Sequence, residues 1–231
     1  MSKRFPERIA TLTLLTLMAV CMPAMAYSAD ATGWYEQGNV FLNANNATGA
    51  IAAYDHAVAL EPDFYEAWDA RADALNRDGQ FSAALQDSDH ALQINSSYVP
   101  SWINRGQILY NIGMVYEDQK NDLTTANEYY AEQLLAFEKA IELDPASAEA
   151  WFNKGYALAG MKKYDEAIAA FDRVQALDPN YPNIAKNKEI AQQLKNKTTP
   201  DYMQYSPAFL GIAVIIIGVI IWFKFLREKE E

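Results

Sequence analysis

Four tryptophans, Trp34, Trp68, Trp102 and Trp151, are separated by 34, 34 and 49 residues, and the last interval is one more period with 15 residues inserted. A fixed period of this size means units that cannot bury their apolar faces alone and must stack on their neighbours. When each unit is numbered so that its Trp is fourth, the eighth residue is small every time: Gly38, Ala72, Gly106 and Gly155. The twentieth is Ala50, Ala84, Gln133 and Ala167, the twenty-fourth Tyr54, Ser88, Phe137 and Phe171, and the twenty-seventh Ala57, Ala91, Ala140 and Val174. The thirty-second is Pro62, Ser96, Pro145 and Pro179. Small residues at eight and twenty allow two antiparallel helices to approach closely, the aromatics fill the gap to the next unit, and Pro stops the second helix. Each unit is therefore expected to be a helical hairpin.

This pattern resembles the tetratricopeptide repeat, and it covers about residues 31 to 181. The last unit, AEAWFNKGYALAGMKKYDEAIAAFDRVQALDPN, follows the family pattern almost throughout, whereas the second departs at Ser88 and Ser96, where looser packing is expected. The resemblance implies an all-α, right-handed superhelical solenoid: repeats at 31–64, 65–98, 99–147 and 148–181, with a capping helix at 182–195. It also implies a protein-binding scaffold, not an enzyme, with no cofactor. The concave groove of such an array would be lined by Tyr35, Glu36, Asn39 and Asn43, by Glu66, Asp69, Asp73, Asn76 and Arg77, by Ile103, Asn104, Gln107, Tyr110 and Asn111, and by Glu149, Phe152, Asn153 and Tyr156. Asn amides can pair with both the N–H and C=O of an extended peptide, and aromatics beside them can bury its side chains. The same Asn residues also belong to the ordinary repeat pattern. A clamp for a C-terminal carboxylate, by contrast, needs basic groove residues, and Tyr35, Ala70, Pro100 and Asn104 stand where such domains carry Lys, Asn and two further basic side chains.

The 15-residue insertion, Val115 to Tyr129, has no Gly or Pro and is flanked by helical pattern. It is expected to lengthen both helices of the third unit by about two turns each, near 10 Å of projection, with the turn at Asn121 to Thr125. Such a spur would dock a partner or a second copy, unless it is simply a tolerated insertion.

Both chain ends read as targeting signals. Lys3, Arg4 and Arg8 precede the apolar run Ile9 to Met22 and Ala24-Met25-Ala26, a signal peptide over 1–26 with cleavage expected after Ala26; an uncleaved anchor is the alternative. After a linker at 196–206, residues 207–226 contain the uncharged run AFLGIAVIIIGVIIWF, long enough to span a bilayer. Lys224, Arg227 and Lys229 follow it, so the 227–231 tail is expected to be cytoplasmic and the repeats extracytoplasmic, at the plasma membrane. Gly211 and Gly218 share a face of that span and offer weak support for self-association.

Composition removes other functions. A net charge of −11 disfavours nucleic acid as a partner, and one cysteine, Cys21, excludes an internal disulfide or thiolate zinc site. From Asp30 to Ile94 there are eleven acidic and two basic residues, whereas from Lys139 to Lys197 there are eight and nine, so the field is polarised along the array. The acidic half suits a basic peptide or simply keeps the domain soluble. Asp55-His56 and Asp89-His90 lie one period apart and offer metal-ligating side chains, but repeat duplication accounts for the echo, and no metal site is expected. Asn46, Asn95 and Asn196 satisfy the glycosylation sequon at expected turns, which matters only in a host that glycosylates. The leading functional expectation is a membrane-anchored scaffold that binds a partner protein or peptide. The alternatives are an assembly factor or chaperone for exported envelope or cytochrome proteins, and a passive surface glycoprotein or spacer.

Overall fold

The computed structural model describes residues 27–198. The expected signal peptide and the expected 207–226 span lie outside those residues. Among the described residues no helix is long and apolar enough to cross a membrane.

Nine α-helices and no strand make up the described chain. They are α1 (Ala29–Asn43), α2 (Ala47–Leu60), α3 (Tyr65–Arg77), α4 (Phe81–Ile94), α5 (Val99–Asp118), α6 (Leu123–Leu143), α7 (Ala148–Gly160), α8 (Tyr164–Leu177) and α9 (Ile184–Thr198). Each packs on the next, and α3 also touches α1 and α5 while α9 touches α7. The contacts between alternate helices all join odd-numbered ones, which therefore form the inner face of the stack. Helix starts are capped where the sequence supplies an oxygen: Ser28 and Ser147 accept from the N–H groups of Ala31 and Ala150, and Asn46 from that of Gly49. Every hairpin turn passes through one left-handed residue two positions before its second helix: Asn45, Gly79, Asn121 and Lys162. That rule moves the turn of the third hairpin. It lies at Gln119–Asp122, earlier than the expected 121–125, because Asn121 reverses the chain and the Asp122 carboxylate then caps α6, accepting from Thr125 N at 3.1 Å and Thr125 Oγ1 at 2.7 Å. The insertion does lengthen both helices, to 20 and 21 residues against 13 and 14 in the fourth hairpin.

Inside a hairpin the eighth and twenty-fourth positions work as a pair. At Gly38, Gly106 and Gly155 a Cβ would lie 2.3, 2.4 and 2.6 Å from the rings of Tyr54, Phe137 and Phe171, so only glycine admits the ring. The spur repeats the clasp seven residues nearer its tip on both helices, where Gly113 lies under Tyr130. The second hairpin was expected to be loose for want of its aromatic. It is not: Ala72 and Ser88 are both fully buried, and Ser88 Oγ donates to the Ser101 carbonyl at 3.4 Å. A larger residue at position eight offsets a smaller one at position twenty-four. Ser96 costs nothing at the boundary either. The Trp of each following unit donates its indole N–H to the main-chain carbonyl of position thirty-two, from Trp68 to Pro62, Trp102 to Ser96 and Trp151 to Pro145, at 2.9 to 3.1 Å, and any residue has that carbonyl.

Between hairpins runs a ladder of ion pairs that sequence reasoning missed. Position seven of each unit meets position twenty-five of the unit before: Arg71 with Asp55, Arg105 with Asp89, Lys154 with Glu138, and Lys188 of the cap with Asp172. The signal was the constant separation of 16 residues between acid and base. Arg71 is the best enclosed. Its guanidinium also grips Asp87 through Nε at 2.6 Å and a second nitrogen at 2.8 Å, and it lies 4.4 Å from the Trp68 ring centroid. Asp87 is buried. Replacing Arg71 by Met should therefore lower unfolding stability in urea by about 3 kcal/mol, because a buried carboxylate loses its partner. Lys154→Met, whose partner Glu138 is exposed, should cost less than about 1 kcal/mol in the same measurement.

Two smaller boundaries differ from expectation. The cap helix runs over Ile184–Thr198, starting after Pro182 and continuing past Lys195. Asn196 consequently lies in a helix and not at a turn, while Asn46 and Asn95 flank helices α2 and α4.

Candidate functional site

The inner face is built from the odd helices, and the residues expected to line its groove divide into two groups. One group is committed to the protein's own packing. Asn39 Oδ1 accepts from Tyr54 Oη at 2.7 Å, and the Tyr35 ring packs against Tyr54 and Phe64. Asp73 is held by Arg77 through two contacts of 3.1 and 2.8 Å. Phe152 packs on Phe171 and Tyr181. Asn104 is buried and donates Nδ2 to the Asp69 carbonyl at 3.0 Å and to Asp69 Oδ1 at 3.3 Å, tying α5 to α3. Burial raises the Asp69 pKa to about 6, against the opposing pull of the Asn104 hydrogen bond. Asn43 lies exposed at the end of α1.

The other group converges. Gln107, Tyr110 and Asn111 of α5 and Asn153 and Tyr156 of α7, with Asn76, Gln133 and Phe137, line a pocket of about 260 Å³ on the inner face. Asn111 Nδ2 donates to Asn76 Oδ1 at 2.8 Å, which leaves the second amide proton of Asn111 and both amide protons of Asn76 for a ligand. Tyr156 is 53% exposed, an uncommon state for a large aromatic side chain in the middle of an array. Burial, with Tyr156 and Glu117 nearby, holds the Tyr110 phenol above its usual pKa, so it remains a neutral hydrogen-bond donor at physiological pH. Amides and phenols around a half-open apolar floor can hold polypeptide backbone and one or two side chains. They have no group poised for nucleophilic or acid–base chemistry.

Next to this pocket is a larger hollow of about 680 Å³ that sequence reasoning did not find. It continues from Tyr110 and Tyr156 along the spur, past Met114, Leu123 and Tyr130, to Met161 at the end of α7 and Ile190 on α9. The clue was the unequal length of neighbouring inner helices.

The Asp-His echo is structural. The His56 ring stacks on Trp34 with centroids 4.3 Å apart, His90 meets Trp68 edge-on at 4.4 Å, and Asp55 and Asp89 are rungs of the ion-pair ladder. Among the described residues no group of three or more ligating side chains could hold a metal ion.

Stacked two-helix units curved around an open inner face define a repeat solenoid of the polypeptide-binding kind. The chain belongs to the tetratricopeptide repeat family: models of that repeat match residues 35–99 and 148–181. An uncharacterised protein of Methanocaldococcus jannaschii is 34% identical over 87 residues, which cover 38% of this chain and 92% of that protein. Small glutamine-rich tetratricopeptide repeat-containing protein 2 of Mycosarcoma maydis is 26% identical over 111 residues, but these are 48% of this chain and only 27% of that one. Among solved structures, a thermophilic tetratricopeptide repeat protein of Thermus thermophilus superposes with a TM-score of 0.61 at 16% identity, covering 83% of this chain and 99% of that one. YrrB, described as a tetratricopeptide repeat protein with an unusual peptide-binding site, gives 0.52 at 21%, covering 73% and 79%. These likenesses establish the fold.

Proposed function

We propose that this protein is a membrane-anchored, extracytoplasmic scaffold that holds a partner protein or peptide against its inner face, centred on the pocket between α5 and α7. The observation that carries this reading is the convergence of Gln107, Tyr110, Asn111, Asn153 and Tyr156 on one open pocket while Asn39 and Asn104 are spent on packing. Members of the family mediate protein and peptide interactions, and YrrB is described as having a peptide-binding site. Acidic side chains at Glu36, Glu66 and Glu149 flank the face, and Arg77, the basic residue at these positions, is tied to Asp73, so the partner segment carries Lys or Arg. Membrane placement draws its support from sequence: the basic-then-apolar start over 1–26, the uncharged run within 207–226 and the basic residues after it.

Chemical crosslinking in cells, followed by mass spectrometry of the full chain, tests the scaffold. The Gln107→Ala plus Asn153→Ala variant should lose at least about tenfold of the captured partner, in line with two lost hydrogen bonds at about 1 kcal/mol each and the ordering they provide. Capture should also fall with added salt. Unchanged capture by the variant would rule out this pocket, and protection of the repeats from protease added outside intact cells or protoplasts would rule out the extracytoplasmic placement.

A further inference from the structure

The larger hollow is a notch produced by unequal helices. Helices α5 and α7 start in the same register, but α5 has 20 residues and α7 has 13, so the spur overshoots the end of α7 by about 10 Å at 1.5 Å per residue. Helix α9, on the other side of α7, forms the opposite wall with Asn187, Ile190, Ala191 and Leu194. The floor between these two walls is the turn at Gly160 to Lys162. Leu123 at 56%, Tyr156 at 53% and Ile190 at 43% exposure present apolar surface into the gap, and Met114 and Met161 add adaptable thioethers. An exposed apolar hollow of this size asks for an occupant.

We propose that the notch is filled by the protein's own tether, Thr199 to Ser206. Three observations select it. The described chain reaches Thr198 in the last turn of α9, the wall of the notch, so the next residues emerge at its rim. In sequence, Pro200 is a residue that cannot continue a helix, and Tyr202, Met203 and Tyr205 supply large side chains of the kind the lining accepts. Size discriminates against the segment beyond: a 20-residue apolar helix is about 30 Å long and does not fit a hollow of about 680 Å³, whereas eight extended residues reach about 26 Å, enough to cross a gap about 10 Å deep. Because the tether is covalently attached, its effective concentration is of millimolar order, and even a weak contact is populated. The inference rests on Thr199 to Ser206 being the tether but not on the neighbouring pocket, since neither Gln107 nor Asn153 lines the notch.

Single-cysteine labelling tests it on the full chain in its membrane, with Cys21→Ser removing the native thiol. Ile190→Cys reports on the notch, and Leu135→Cys, 64% exposed on α6 and outside the notch, is the reference. Maleimide should modify Ile190→Cys at least fivefold more slowly than Leu135→Cys, well beyond the difference in exposure. Adding Tyr202→Ala and Tyr205→Ala should abolish that protection while leaving the helical circular dichroism unchanged. Equal rates in the parent chain would overturn the proposal. So would protection that survives the double substitution, which would mean that a partner, a second copy or the lipid surface covers the notch.

Discussion

Replacing Gly106 by Ala should destabilise the array, although alanine is the better helix former by about 1 kcal/mol. The new Cβ would lie 2.4 Å from Cε1 and 2.7 Å from Cζ of Phe137, a ring that is 1% exposed. Overpacking of a close core costs about 1–3 kcal/mol beyond any intrinsic gain, so a net loss of about 2 kcal/mol is expected in urea unfolding. Phe137→Ser alone should cost about 4 kcal/mol, through the cavity it leaves. The two together reproduce the Ala72 and Ser88 pair of the second hairpin. Their combined cost should fall short of the sum by about 2 kcal/mol, a coupling that contacting residues show and distant ones do not. Strict additivity would mean that the second hairpin is not held by compensation between these positions. Gly33→Ala is the control: no atom lies within 4 Å of its Cβ, and it should gain up to about 1 kcal/mol.

The second large effect is a stability that falls as pH rises. Asp69 has an ordinary carboxyl pKa in the unfolded chain and a native value raised to about 6. The native state therefore holds its proton over an interval in which the unfolded state has lost it. Stability from this residue is greatest below about pH 4, declines as pH climbs through about 6 and then levels, with a total span of about 2–3 kcal/mol. Asp69→Asn keeps an oxygen for Asn104 Nδ2 and removes the buried charge. It should be more stable than the parent by about 1–2 kcal/mol at pH 8, close to it at pH 4, and flatter between the two. Thermal unfolding of both proteins across that range measures the difference. A variant less stable at pH 8 would mean that the ionised carboxylate is favourably solvated where it sits.

The architecture was legible because its strongest signals are short and local. Trp at one position, a small residue four later and a helix breaker near the end recur whatever else varies, and an insertion free of Gly and Pro had to lengthen helices. Compensation was less visible. Ser88 looked like a defect when considered alone, and only the ring-over-glycine contacts of the other hairpins show that Ala72 is its counterpart. The ladder was written in the sequence as acid and base 16 residues apart, but nothing in a single unit marks Asp55 and Arg71 as partners. Of the groove residues, Asn104 and Asn153 occupy equivalent positions in their units; one is sealed against Asp69 and the other lines a pocket. What separates them is the neighbouring helix, which supplies the carboxylate of Asp69 in one case and the apolar Ile103 at the equivalent position in the other. The notch escaped notice for the same reason, being a difference in length between units and not a property of either.

A photo-crosslinking residue placed at Gln107 in the full chain, and irradiated in living cells, tests the central claim most directly. The scaffold account predicts a crosslink from position 107 to a second polypeptide through a segment bearing Lys or Arg, and little from the same residue placed at Leu135. Equal yields from the two positions, or none from Gln107, would contradict it.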